Sequence, residues 1–240
     1  MRSTCGILAL ASACAGATAG QPTEEDYADV AISIGSTTSH DGGEVGAMRT
    51  AAVLARGERP AGLADGADGA VHGALFGLDY RYAITCRDPA GELVRACDRA
   101  TGGADVDAAW SGTLDTPRLT LAIAHDARWQ LSGMVGAITH VAGTGQLSYD
   151  TRDGASAYHY AYDAAYQVVI DDQRAIGGAI QFAITAEHTG SSPRRFAIAA
   201  DVTFEPDDTA MLVLDGARRY RIMLATGAVI PWTGAGTGSG

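Results

Sequence analysis

The chain has no lysine. All 17 basic residues are arginine, set against 28 acids, so its 240 residues carry a net charge of −11. Binding nucleic acid by counterion release needs a clustered basic surface. Short groups such as Arg194-Arg195, or Arg218-Arg219 with Arg221, do not outweigh the acidic whole. Nucleic acid is thereby excluded as a partner, as is a purely electrostatic hold on anionic lipid. Beyond residue 20 no apolar run approaches the roughly 20 residues of a helical membrane span. The 31 glycines follow no three-residue period, which excludes a collagen-like chain, and no repeat of fixed period marks a solenoid.

Motifs of catalysis and metal binding are also missing. His40, His72, His125, His140, His159 and His188 form neither H-E-x-x-H nor any two-ligand spacing on one helix face. His188 follows the alternation of Phe182 and Ile184 and reads as a strand-end histidine near Phe196. Gly-x-Ser-x-Gly is absent, and Ser132-Gly133 falls at the end of a predicted strand. Gly143-Thr144-Gly145 does not lead from a strand into a helix, as a phosphate loop would. Asp65-Gly66-Ala67-Asp68-Gly69 lacks the alternate-residue acids and closing Glu of a calcium loop and reads as a surface turn. No catalytic residue, metal ligand or cofactor is expected. A Ser-His-Asp site assembled from distant residues has no sequence signature, so a hydrolase stays among the readings.

What the chain does contain is 47% hydrophobic and 19% charged residues, the balance of one globular domain. A chain this long can bury roughly 70% of the surface its unfolded form exposes. Residues 1–20 combine Arg2, an apolar stretch from Gly6 to Ala13 and then small residues, the shape of a secretory signal peptide, with a buried N-terminal segment as the alternative. Two cleavage patterns are present. Leu10-Ala11-Ser12-Ala13-Cys14 resembles a lipobox, displaced by one residue, that would lipidate Cys14 and attach the protein to a membrane; Ala17-Thr18-Ala19 suits ordinary cleavage before Gly20. Cys5 also falls in this leader, so Cys86 and Cys97 remain to form one bridge around the turn at Asp88-Pro89-Ala90-Gly91. The alternative, a metal or redox pair, matches neither C-x-x-C nor a zinc knuckle. Export to the periplasm or outer membrane, or secretion outside the cell, is the expected location.

The mature domain is expected over residues 21–232, with a helical segment at 23–57 and a flexible Gly-rich tail at 233–240. Thr23 can cap a first helix carrying Tyr27, Val30, Ala31 and Ile34 on one face, stopped by Gly35. A second runs from about Gly43 to Arg56, with Val45, Met48, Ala52 and Ala55 on one side and Gly57 as its stop. From Val71 the period becomes two: Leu78, Tyr80, Tyr82, Ile84 and Cys86; Leu119, Leu121, Ile123, Trp129 and Leu131; Tyr158, Tyr160, Tyr162, Tyr166, Val168 and Ile170. Phe182 and Ile184, then Phe196, Ile198, Val202 and Phe204, continue it, while Gln181, Thr185, Glu187 and Asp201 mark a solvent face.

Two-residue loops at Asp153-Gly154 and Asp215-Gly216 would pair Tyr149 with Tyr158 and Met211 with Tyr220. The turn at Asp115-Thr116-Pro117-Arg118 would pair Leu114 with Leu119 and Trp110 with Ile123. The expected fold is mainly β: an antiparallel meander of about nine strands forming a curved sheet or half-barrel, or a closed barrel, with two short N-terminal helices as plug or lid. Nine tyrosines stand against four phenylalanines. Tyr149, Tyr158, Tyr160 and Tyr162 share one face, which would either line a cavity for an apolar ligand or form an ordinary sheet core.

Residues 42–48 (GGEVGAM), the Cys86/Cys97 loop, Trp110-Ser111-Gly112 and residues 209–226 (TAMLVLDGARRYRIMLAT) make the chain resemble secreted β-rich proteins of high-GC bacteria that have no known activity. The resemblance implies export and a β fold. The expected function is an exported, envelope-associated, non-enzymatic protein of structural or binding role, the alternative being a carrier of small apolar or lipid ligands.

Overall fold

The computed structural model describes residues 20–40, 43–75, 77–115, 120–153, 156–171, 174–189 and 193–232. Residues 1–19 of the leader with Cys14, the tips of two of the predicted turns, at 116–119 with Leu119 and at 154–155, and the tail from residue 233 fall outside these residues. Two helices come first, α1 (Glu24–Thr38) and α2 (Glu44–Ala55), followed by twelve strands. These are β1 (Leu63–Asp65), β2 (Val71–Leu75), β3 (Leu78–Arg87), β4 (Gly103–Asp115), β5 (Thr120–Ser132) and β6 (Thr139–Asp153). The series continues with β7 (Ser156–Ile170), β8 (Ala175–Thr189), β9 (Arg194–Phe204), β10 (Thr209–Leu214), β11 (Arg218–Met223) and β12 (Ala228–Pro231). All belong to one antiparallel sheet in which each strand pairs with its sequence neighbours. No described helix is long and apolar enough to cross a membrane.

The meander is as expected, but it has twelve strands instead of nine. The strands easiest to miss, β1, β2 and β12, have only three, five and four residues, too few for an alternating pattern to stand out. The sheet does not close into a barrel: the order runs from β1 to β12 with no pairing between the two ends. The helices lie where closure would bring the inner faces together, α1 against β10, β11 and β12 and α2 against β3 and β4. The open edges are shortened or blocked, with three residues in β1 and Pro231 in β12, devices that limit pairing with other chains.

The sheet wraps around α1. Thr37 hydrogen bonds through its hydroxyl to Tyr149 in β6, whereas Gly35, two residues earlier, lies against Gly227 and Val229 at the β11–β12 end. In a flat sheet strands six places apart would be about 29 Å from one another, so both contacts require curvature. Gly35 does not end the helix, as its residue type suggested; α1 continues to Thr38. Glycine is needed there for close approach, because a Cβ would sit 2.4 Å from the Gly227 carbonyl oxygen and 2.4 Å from Val229 Cγ2. Thr23 caps α1 in a reciprocal box with Asp26. The predicted inward residues Tyr27, Val30, Ala31 and Ile34 are all buried, as are Val45, Met48, Ala52 and Ala55 of α2.

Strand alternation sorts the sheet into a wet outer face and an apolar inner one. Trp129, Tyr82, Tyr162, Tyr166, Ile180, Ile184 and Ile198 are among the largest fully buried side chains, and burying each of these isoleucines stabilises the fold by about 1.5–3 kcal/mol. Gln181, Thr185, Glu187 and Asp201 are exposed as expected.

Three registers differ from the turn-based expectation. Tyr149 pairs with Tyr160 and Leu147 with Tyr162, while Leu114 pairs with Leu121 and Trp110 with His125. Both are shifts of two residues, which leave every side chain on its expected face. The β10–β11 register shifts by one, so Leu212 faces Tyr220 and Met211 faces Arg221. Its loop holds three residues, Asp215, Gly216 and Ala217, the first two at positive φ. The shift therefore buries Leu212 and Leu214 instead of Met211 and Val213.

Cys86 and Cys97 are joined in a disulfide with Cα atoms 5.4 Å apart. The bridge ties the end of β3 to the 88–101 loop, whose turn Asp88 organises by accepting from the Ala90 and Glu92 N–H groups. Closing so short a loop is worth about 3 kcal/mol in the chain-entropy picture. Reduction, or the double substitution Cys86→Ser/Cys97→Ser, is expected to lower the melting temperature by several degrees. An unchanged melting curve for protein shown to be oxidised would contradict a stabilising role.

Candidate functional site

The helices do not fill the whole inner face. Between the exposed flank of α1, the start of α2 and strands β3–β7 lies a cavity of about 660 Å³. Its apolar wall comes from Ile32, Leu78, Trp110, Leu121, Ile123 and Leu147. Ile32, at the mouth, is 60% exposed, an apolar side chain on the flank of α1 that otherwise exposes Glu25, Asp29 and Ser36. Polar groups are few and grouped. Ser33, Ser36 and Thr37 come from successive turns of α1, Tyr149, Tyr158 and Tyr160 from β6 and β7, and Asp29 and Glu44 from the helices.

Three of the four tyrosines predicted to share a face therefore reach the cavity. Tyr162 stands behind the wall, packed edge-on against Tyr149 at 5.5 Å and Phe182 at 6.1 Å, and its hydroxyl is 2.8 Å from Ser33 Oγ. Burial pushes the Tyr149 and Tyr160 phenols up to about 12. They enter the cavity as neutral hydroxyls across the physiological range. Burial, with the neighbouring Glu25 and Asp26 carboxylates, also raises the Asp29 carboxyl.

At the inner end is a polar cluster that the sequence did not single out. Glu44, the first residue of α2, is fully buried. The positive end of the helix dipole favours an acid there. Its Oε1 lies 2.6 Å from His125 Nε2 in β5 and accepts a hydrogen bond of 2.9 Å from the Tyr166 hydroxyl in β7. Burial and the Glu44 carboxylate hold the Tyr166 phenol well above its usual range. Trp110 stacks on the His125 ring with centroids 3.5 Å apart and planes 10° from parallel. Gly145 leaves room for the cluster, since a Cβ there would come within 2.6 Å of the Tyr166 hydroxyl. Glu44 Oε2 and His125 Nδ1 are buried and have no hydrogen-bond partner among the described residues. His125 occupies an inward position of the predicted β5 alternation, between Ile123 and Ala127. A histidine in phase with an apolar strand face was the available signal.

A second polar chain runs from α1 to the cavity wall. Asp26, itself buried, is held by both Arg194 Nη atoms at 2.6 and 2.8 Å, and Arg194 Nε donates to His188 Nδ1 at 3.2 Å. His188 sits among Tyr158, Tyr160 and Phe196, near the Phe196 partner expected for it. The expected surface turn at Asp65–Gly69 joins β1 to β2, with Asp68 bound to His72 and Arg81. Among the described residues no group of three His, Cys, Asp or Glu side chains could hold a metal ion.

A larger concavity of about 880 Å³ lies on the outward face beneath the Arg87–Gly91 turn. It is walled by solvent-facing groups such as Gln130, Ser132 and Gln167 and by strand backbone, with no phenylalanine, tyrosine or tryptophan. An organic ligand seeks enclosure by apolar and aromatic groups with a few convergent polar ones, and by that criterion the inner cavity is the candidate site.

Burial, and next to it the Arg194 guanidinium, lowers the His188 imidazole; Asp26, Asp29 and Glu25 act weakly the other way. With a folded value below the unfolded one, the unfolded chain takes up this proton first as pH falls. Stability is expected to decline as pH drops below about 6.5, and His188→Phe should lose less of its melting temperature than wild type between pH 7.5 and 5. Equal losses in the two proteins would refute the assignment. No family model, curated protein or solved structure matches the chain, and its function is read from its own residues.

Proposed function

We propose that the protein is an exported binding protein that carries a small apolar or single-chain lipid-like ligand in the cavity between its N-terminal helices and the inner face of the sheet. One observation carries the reading: a cavity of about 660 Å³, open at the Ile32 side and within the roughly 300–1,000 Å³ usual for ligand sites, walled by aliphatic and aromatic side chains with polar groups gathered at a few points. The Tyr149, Tyr158 and Tyr160 rings give an apolar surface with hydroxyl handles, the combination that suits an amphiphile. Two of the cavity hydroxyls, Ser33 and Thr37, are engaged with the Tyr162 and Tyr149 hydroxyls, and no histidine lies among the described lining residues beside Ser36 or Thr151 to act as a base, which supports a carrier over a hydrolase.

Export belongs to the same proposal. It is supported by the leader pattern of residues 1–20, by the Cys86–Cys97 bridge, which suits an oxidising compartment, and by the resemblance to secreted proteins of high-GC bacteria. Attachment to a membrane through a lipidated Cys14 completes it. A second reading, a structural or protein-binding envelope component, has in its favour the exposed Ile230 and Trp232 at the edge of the sheet.

The test is native mass spectrometry of the full chain expressed with its own leader in a Gram-negative host, followed by solvent extraction. A copurifying hydrophobic mass is expected, and Ile123→Trp, which places an indole in the cavity, should abolish it while keeping the fold. Empty protein that also fails to bind a neutral apolar fluorophore would overturn the carrier reading in favour of the second. The intact mass of the mature chain distinguishes diacylated Cys14 from cleavage before Gly20.

A further inference from the structure

The ionisable groups of the cavity carry information about the ligand's polar end. Apart from tyrosines, the ionisable side chains among its described lining residues are Asp29 at the mouth and Glu44 at the inner end, both acids. The Glu44 side chain is fully buried, its Oε1 is shared by His125 and Tyr166, and its Oε2 is buried with no hydrogen-bond partner among the described residues. Leaving one oxygen of a buried carboxylate unpaired costs more than a typical hydrogen bond returns. An ionised carboxylate can only accept. The partner that satisfies such an oxygen is a donor.

We infer that the ligand is a single-chain amphiphile whose head group donates hydrogen bonds and bears no negative charge, an amine or a hydroxyl, seated against Glu44 Oε2 with its chain along Trp110, Leu121, Ile123 and Leu147. This rests on the carrier reading and deepens it. An ammonium head gains most, since it both donates and pairs with a desolvated carboxylate. A fatty acid or other anionic head is disfavoured, because it would enter a low-dielectric space already holding two acids and no cation to receive it. The −11 charge of the whole chain acts in the same direction on approach. The tyrosine hydroxyls of β6 and β7 serve either head group equally and do not select between them.

The test uses displacement of a neutral naphthylamine fluorophore from the full-length protein, after solvent extraction, by dodecylamine, dodecanol and dodecanoate below their aggregation concentrations. Dodecylamine, and to a lesser extent dodecanol, should displace it at concentrations at least about tenfold lower than dodecanoate, a difference of about 1.4 kcal/mol. Glu44→Gln should narrow the gap between amine and dodecanoate at least severalfold. Asp29→Asn, at the exposed rim and outside the buried cluster, should narrow it less and remains usable if Glu44→Gln does not fold. Dodecanoate displacing as well as the amine, or a gap that neither variant changes, would overturn this inference while leaving the carrier reading in place. Failure of all three chains to displace, or of the fluorophore to bind, would overturn both.

Discussion

An open antiparallel sheet whose inner face carries Trp110, Trp129, Tyr166 and Phe182 cannot leave that face to water, and α1 and α2 are what covers it. The sheet cannot bury the face against itself, since β1 and β12 are unpaired with one another. Wrapping around the helices is the remaining solution. It explains why residues two apart on α1 can touch β6 and the start of β12, and why glycine stands at position 35, where the helix backbone approaches the β11–β12 turn too closely for a Cβ. The outer face, free of this demand, holds Gln181, Thr185, Glu187 and Asp201 in water.

Apolar burial is not directional, so it cannot alone fix where the helices sit in the trough. Polar contacts do that. Asp26 to Arg194, Tyr27 to Asp215, Ser33 to Tyr162 and Thr37 to Tyr149 pin α1 at four points along its length, and Glu44 to His125 and Tyr166 pins the start of α2. Arg218 adds a stack over the Tyr27 ring at 3.6 Å. The cavity is the region these pins hold open, between the last turns of α1, the first residue of α2 and the middle strands. Its walls are thus the groups that position the helices, which couples ligand occupancy to the stability of the fold.

Much of this architecture was legible in the sequence because it depends on periodicity. The helix faces through Tyr27 and Met48, the alternation of β3, β5, β7, β8 and β9, the meander and the Cys86–Cys97 bridge all follow from local pattern. The short strands β1, β2 and β12 fell below the length at which alternation can be read, and Gly35 looked like a stop because tertiary contact, not helix propensity, sets its role. Asp215-Gly216 was recognised as a turn, but whether a turn holds two residues or three is decided by backbone conformation, and that one residue reversed the faces of β10. Three cavity tyrosines were found from their shared strand face. The Glu44–His125–Tyr166 cluster was not, because it joins a helix start to two strands 81 and 122 residues away, a proximity that no local pattern encodes.

Whether a buried polar contact holds α2 on the inner face of the sheet is measured by a double-mutant cycle of Glu44→Leu and His125→Phe in urea unfolding. Each single substitution leaves a buried partner stranded and is expected to cost about 3–5 kcal/mol. The double variant, with two apolar groups facing one another, should lose less than the sum, with a coupling of about 1–3 kcal/mol. Single losses under about 0.5 kcal/mol that simply add would mean that the two residues are neither buried together nor in contact, and the placement of the helices in the trough would be wrong.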